Sequence, residues 1–284
     1  MTNFNKQSGF SLVELMIASA LGVVVSYFVM NIMITSTRSA TTSDGLAEAQ
    51  ETGRFVLSFL HAEARRAGFN FSLEASNTSP FADTCAINVT PGDPGADCTF
   101  NSDDDDSGDR LAVRWTYNSD GTGRNNQDCS GAALTVADGT NLVDLYWVES
   151  DIENGDGYND VLKCATYNDA TGINISSVQT IASGILAMHV LYGVFGEDES
   201  TGAVMTVRYV SADEMVAIPG WQNFVRSARI SILTRSFNDS TLDQANRGYI
   251  LLDSEPYQFN DRISRYIQTS TVSLNGLNNL VDNI

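Results

Sequence analysis

Basic side chains are what this chain has least of. Its 284 residues include 16 Lys+Arg against 35 Asp+Glu, a formal charge of −19 at pH 7, and the sequence pI is near 4.2. A field of that sign repels phosphate, so direct binding of nucleic acid is not expected of this chain. Charged residues of both signs are scarce too, at 18%, whereas apolar residues make up 43%. That balance excludes a disordered acidic tail, since there is side chain enough for a core. A mean hydropathy of −0.11 excludes a polytopic membrane protein, yet an average of this kind hides a single segment. The length suits one large domain or two small ones, and no internal repeat is evident.

Catalytic and metal-binding signatures are equally thin. The only histidines are His61 and His189, the first in a helical pattern and the second alternating within an apolar strand, the ordinary settings of structural imidazoles. No GxSxG, P-loop or HExxH pattern occurs, so the chain does not read as an enzyme. Four cysteines, Cys85, Cys98, Cys129 and Cys164, contain no CxxC pair, which disfavours zinc. An even number placed in the region after the apolar segment fits two disulfides in an oxidising compartment. Of three connectivities, Cys85–Cys98 with Cys129–Cys164 is favoured because each bond pins a loop-rich segment, and the other two stay open. Each closure would contribute about 2–4 kcal/mol.

Two acidic stretches call for separate readings. Asn101 to Asp109, NSDDDDSGD, reads as a solvated loop because like charges repel. In Asp151 to Asp160, DIENGDGYND, Asn154, Asp156, Gly157 and Asp160 fall at positions three, five, six and nine of a calcium loop. Ile152 stands at the first-ligand position and no Glu follows at the twelfth, so an acidic turn between strands is the simpler expectation. Calcium is the one cofactor for which the sequence offers any ligand set.

What the sequence does have is an uncharged apolar run from Leu15 to Ile34, about 30 Å long as a helix and sufficient to span a hydrocarbon core. It is longer than a secretory h-region and ends without a small-residue cleavage site. Glu14 stands at its start, where an intramembrane carboxylate is costly unless neutralised and points to function. Lys6 on the short leader favours a cytoplasmic amino end. Thr35 to Gly45, rich in Thr and Ser, predicts a bend or loosening. A helical pattern resumes at Leu46, with Phe55, Val56, Phe59, Leu60 and Ala67 on one face, and Gly68 as its stop. A continuous helix from Phe10 to Ala67 would measure about 87 Å. Strands are expected at Arg110–Tyr117, Leu142–Val148, Val161–Tyr167, Met188–Phe195, Val204–Val210, Ala228–Arg235 and Ile263–Leu274.

The stretch Lys6 to Ala18, KQSGFSLVELMIA, resembles the class III signal of type IV prepilins: a polar leader, Gly, Phe, an apolar run and Glu at the fifth mature position. Glu51–Phe55 (ETGRF), Arg65–Phe69 (RRAGF), Asp109-Arg110-Leu111, Met188–Gly193, Trp221, Ala228–Ser236 (ARISILTRS) and Arg262–Leu274 resemble the PilW family of minor pilins. Insertions near 93–108 and 149–160 depart from that pattern.

The resemblance implies an α+β, pilin-like fold. A leader (1–9) would precede a transmembrane and filament-core helix (10–34), an amphipathic stalk (35–68) and a β-rich head (69–284) on antiparallel sheet. It implies cleavage between Gly9 and Phe10 by a prepilin peptidase, N-methylation of Phe10, and pairing of Glu14 with a neighbour's amino terminus. It also implies an inner-membrane subunit with a periplasmic head that moves to the pilus. Its expected partners are other minor pilins, the major pilin, a tip adhesin and the assembly platform. The competing readings are a minor pseudopilin of a type II secretion system and a signal-anchored periplasmic enzyme or calcium-dependent binding module.

Overall fold

The computed structural model describes residues 9–68, 80–82, 99, 108–120, 124–149, 160–197, 204–221, 224–239 and 244–274. One helix, α1 (Leu12–Ala64), runs unbroken for 53 residues, about 80 Å at 1.5 Å per residue. The bend expected over Thr35–Gly45 is not there. The hydroxyls that lower helix propensity when they compete for the backbone instead bond back into the helix. Thr35, Thr37, Thr41 and Thr42 Oγ1 each donate to the carbonyl four residues earlier, at 2.9–3.1 Å. Their hydrogen-bonding capacity is spent without breaking the ladder.

Of the face expected to be buried, Val56, Leu60 and Ala67 are buried and Phe59 packs against the core, but Phe55 is not part of it. Gly45, Ala49, Gly53, Val56, Leu57, Leu60, Glu63 and Ala64 are buried, whereas Phe55 is 56% exposed. Small residues at 45, 49 and 53 admit the sheet so closely that a Cβ on Gly53 would stand 2.8 Å from the Gln268 side chain. Gln268 Nε2 donates to Gln50 O at 2.7 Å, and Thr234 Oγ1 donates to Ala49 O at 2.8 Å. After Ala64 a last turn leads to Gly68, whose φ of 72° is the left-handed geometry of a helix stop.

The head holds two four-stranded antiparallel sheets among the described residues. The first comprises β1 (Leu111–Thr116), β2 (Asn141–Glu149), β3 (Val161–Asn168) and β4 (Gln179–Ser183), in sequential order. The second contains β5 (Ile185–Glu197), β6 (Val204–Val210), β7 (Val225–Asp239) and β10 (Ile263–Ser273), in the order β10-β7-β5-β6. Helix α2 (Ala212–Val216) follows β6, and β8 (Ala245–Tyr249) pairs with β9 (Tyr257–Asp261) as a separate hairpin.

Helix α1 lies on β7 and β10. One core joins all three layers, with Val56, Leu60 and Ala64 of the helix, Leu111, Tyr146 and Leu162 of the first sheet, and Met188, Ile230 and Ile232 of the second. Each buried Val, Leu or Ile is worth about 1.5–3 kcal/mol. The alternation expected in β1 is incomplete, because Ala112 and Thr116 are buried as well.

The chain crosses between the sheets at Gly184, where φ is 78° and a side chain would be strained. Arg235 fixes this corner. Its Nη1 donates to Asp160 Oδ2 at 3.1 Å, its backbone N–H to Gly184 O at 3.0 Å, and Asp160 O accepts from Gly184 N at 2.7 Å.

Asp109 departs from the solvated loop expected of it. Gly108, at φ 90°, turns the chain so that Asp109 is buried and its Oδ2 accepts from Val190 N at 2.7 Å. Its other oxygen faces His189 Nδ1 at 3.4 Å, and His189 Nε2 lies 2.7 Å from the Tyr257 hydroxyl. His189 is thus a satisfied core residue.

A buried charged cluster fastens the end of α1 to the first sheet. The Glu63 carboxylate is held by Arg66 Nη1 at 2.9 Å, by Arg124 Nη1, and by the Tyr146 hydroxyl at 3.1 Å. Arg66 lies over the Trp115 ring at 4.0 Å and donates to Gln127 O at 3.2 Å. Its Nη2 reaches Asp144 Oδ2 only at 3.4 Å. Burial pushes the Asp144 carboxyl up to about 6, although Arg66 and the Thr166 hydroxyl bond at 2.6 Å draw it down. Arg66 gives its shorter contact to Glu63. Burial works against the Arg66 charge, but Asp144 and Glu63 together more than compensate and raise its pKa.

Two outcomes follow for this cluster. Glu63→Ala strands two guanidinium groups and should lower the unfolding free energy by about 3–5 kcal/mol, read from urea denaturation in detergent; a loss under about 1 kcal/mol would contradict the anchoring role. For Asp144 the folded pKa of about 6 lies above the ordinary carboxylate value of 3.8. The folded state therefore keeps a proton that the unfolded chain releases, and stability falls as pH rises between those values. Asp144→Asn removes this slope, so the variant should gain on the parent between pH 4 and 7 by up to about 3 kcal/mol. A pH-independent difference would refute the raised pKa.

Candidate functional site

The amino end of α1 is built around Ser11. Its backbone is extended (φ −74°, ψ 145°), its Oγ accepts from Val13 N at 3.3 Å, and Glu14 Oε2 accepts from Ser11 N at 2.9 Å. This is a capping box, which satisfies helix-end donors reciprocally. The Ser11-Leu12-Val13-Glu14 pattern signals it in the sequence, although Ser11 itself carries no charge to mark it. Gly9 and Phe10 precede the helix in exposed backbone, with Phe10 91% exposed. The peptide bond between them is open to an enzyme. Glu14 holds its carboxylate on the backbone N–H of Ser11, the residue that follows Phe10.

From Leu12 to Ile34 the helix presents its apolar side chains outward, and it is long and apolar enough to cross a membrane. Its polar side chains bond inward. Ser19 Oγ donates to Met16 O at 2.9 Å and Asn31 Nδ2 to Tyr27 O at 3.0 Å, which lowers the cost of placing them in hydrocarbon. Glu14 is the sole charge between Phe10 and Thr37. A carboxylate at the helix amino end is favoured by the helix dipole and its free N–H groups.

The remaining sequence-derived residues lie in the head. Cys129 and Cys164 form a disulfide with Cα atoms 6.2 Å apart, tying the 124–134 segment to β3 next to Asp144 and Thr166. Cys85 and Cys98 lie outside the described residues, as do Asn154 and Asp156. Asp160 is buried and bonded to Arg235. Among the described residues no group of three or more His, Cys, Asp or Glu side chains is arranged to hold a metal ion. His61 sits half-buried on α1.

No curated protein matches the chain by sequence. In solved structures it resembles a type IV-like pilin from Thermus thermophilus, with 13% identity, a TM-score of 0.42, and coverage of 82% of this chain and 96% of that one. Residues 4–26 match the prokaryotic N-terminal methylation motif, and residues 145–276, from β2 past β10, match the family described as Type IV Pilus-assembly protein W. With the methylation motif at one end and the family match across most of the head, the chain is similar to type IV pilin-like proteins of the PilW family.

Proposed function

We propose that this chain is a minor pilin of a type IV pilus, a structural subunit that joins other minor pilins to prime filament assembly and stands near the tip. The observation that carries this reading is the exposed apolar helix whose capped start holds Glu14 on Ser11 N–H, next in the chain to Phe10. On this reading a prepilin peptidase cuts between Gly9 and Phe10 and the new amino group is methylated. The apolar half of α1 then anchors the subunit in the inner membrane, its head in the periplasm, until the assembly platform moves it into the filament. The partners are other minor pilins, the major pilin and a tip adhesin, and motility, adhesion and DNA uptake depend on the chain indirectly. Its role is structural rather than catalytic.

The pairing partner for Glu14 is the charged amino terminus of a neighbouring subunit. Two charges that are each costly in lipid become tolerable when they meet across an interface.

Mass spectrometry of the chain purified from its host should find N-methylated Phe10 as the first residue; an intact Met1 would overturn the reading. Deleting the gene should abolish surface pili and twitching while protein secretion continues. Loss of secretion with normal pili would instead identify a type II secretion pseudopilin. Glu14→Ala should leave processing intact and reduce incorporation into sheared filaments about tenfold or more, since a lost charge pair of a few kcal/mol exceeds the 1.4 kcal/mol that corresponds to a factor of ten. Normal incorporation would rule out the charge-pairing account.

A further inference from the structure

Beyond its apolar half, α1 carries a groove that neither the helix nor the head fills. It has a volume of about 890 Å³ and runs between α1 and the outer side of β4, with the end of β7 as its third wall. Asp44, Glu48, Glu51 and Phe55 line its helix side, and Ile181 and Phe237 lie opposite. The spacing 44, 48, 51, 55 places the four helix residues in one stripe along the axis. Beneath them the small buried residues Gly45 and Ala49 take up the contact with the sheet. Glu48 Oε2 accepts from Phe237 N at 3.4 Å. Asp44 and Glu51 have no hydrogen-bond or ion-pair partner among the described residues, and no Lys or Arg lines the groove.

We infer that this groove receives the helix of a neighbouring, non-identical pilin subunit through Lys or Arg side chains; the inference rests on the pilin reading above. Three observations support that occupant. First, the groove opens at Thr41, two turns beyond Ile34 on the same unbroken helix. A helix packed along the exposed apolar stretch therefore runs directly into it. Second, it combines three carboxylates with an aromatic ring 56% exposed and an apolar opposite wall. Long cationic side chains meet both demands, because the stem covers apolar surface while the head group pairs with acids or lies over the Phe55 ring. Third, the charge selects against the alternatives. Nucleic acid and anionic lipid are repelled, and the carboxylates are not arranged to hold a metal ion. A second copy is a poor complement, since α1 carries only Arg38 and Arg54 against Glu14, Asp44, Glu48, Glu51 and Glu63.

The test uses the full-length chain in its host membrane with p-benzoylphenylalanine introduced at Phe55. After irradiation, mass spectrometry should identify a cross-link to the helix of a different pilin-like chain, within about one turn of a Lys or Arg. Glu48→Lys with Glu51→Lys should reduce its yield about tenfold, because like charges would then face each other, and reversing the identified partner base to Glu should restore it. Glu48→Gln with Glu51→Gln should give an intermediate yield. Glu51 is exposed and Glu48 half-buried, and an intact Cys129–Cys164 bond confirms that the head has folded.

A cross-link to a second copy, to lipid or to a non-helical segment overturns the inference. So does no cross-link at 55 when the same probe at Phe28 cross-links, or a yield that ignores both pairs of substitutions. If any of these occurs in a chain whose terminus is N-methylated Phe10, the groove assignment fails and the pilin reading stands. An unprocessed terminus removes both.

Discussion

The carboxylate of Glu63 is the point on which the two parts of this molecule depend. It is fully buried in the last helical turn, and it draws in Arg66 from its own helix end, Arg124 from the loop after β1 and the Tyr146 hydroxyl from β2. Apolar packing alone would let a helix slide or roll on a sheet, because hydrophobic contact is non-directional. Hydrogen bonds to a buried carboxylate fix direction and distance, and misplacing them leaves charges unpaired in a dry interior. The disulfide from Cys129 to Cys164 closes the same region from the other side. It holds the 124–134 segment against β3, and with it the arginine that Glu63 requires.

The amino end solves a related problem with different means. Glu14 is expensive in lipid, but in the single chain it is already bonded to Ser11 N–H at the positive end of a helix dipole. The charge is thus positioned before any neighbour arrives. Both ends of α1 therefore rely on a carboxylate near a helix terminus. One is buried and triply bonded, whereas the other is exposed and available.

How much of this could be read from the sequence depends on whether the cause is local. The apolar run, Glu14 and the longer strands are carried by contiguous patterns of side chains, and β2, β3, β6 and β10 fall within a residue or so of their expected bounds. The helix face was harder to read because Gly45, Ala49 and Gly53 make contact by being small, and smallness carries no hydrophobic signal. Val56, Leu60 and Ala67 are buried as their spacing predicts, and Phe55 alone stands off that stripe. Strands β8 and β9, ANRGY and YQFND, are too polar to stand out, and they are strands because they pair with each other over the second sheet. The Glu63 cluster joins residues more than sixty positions apart, which no window in the sequence sees. The run of threonines misled for a subtler reason, since the same hydroxyls that weaken a helix in isolation can be absorbed by its own carbonyls.

The absence of any hinge in α1 turns chain length into an angular coordinate. Each residue between the membrane start and the head advances the helix by about 100° and 1.5 Å. The 49 helical steps from Glu14 to Glu63 therefore set which way the head looks around the long axis, as well as how far out it stands. A flexible stalk would let that bearing drift. Here the azimuth of every surface on the head, the groove beside β4 included, is indexed to the position of one carboxylate about 75 Å away.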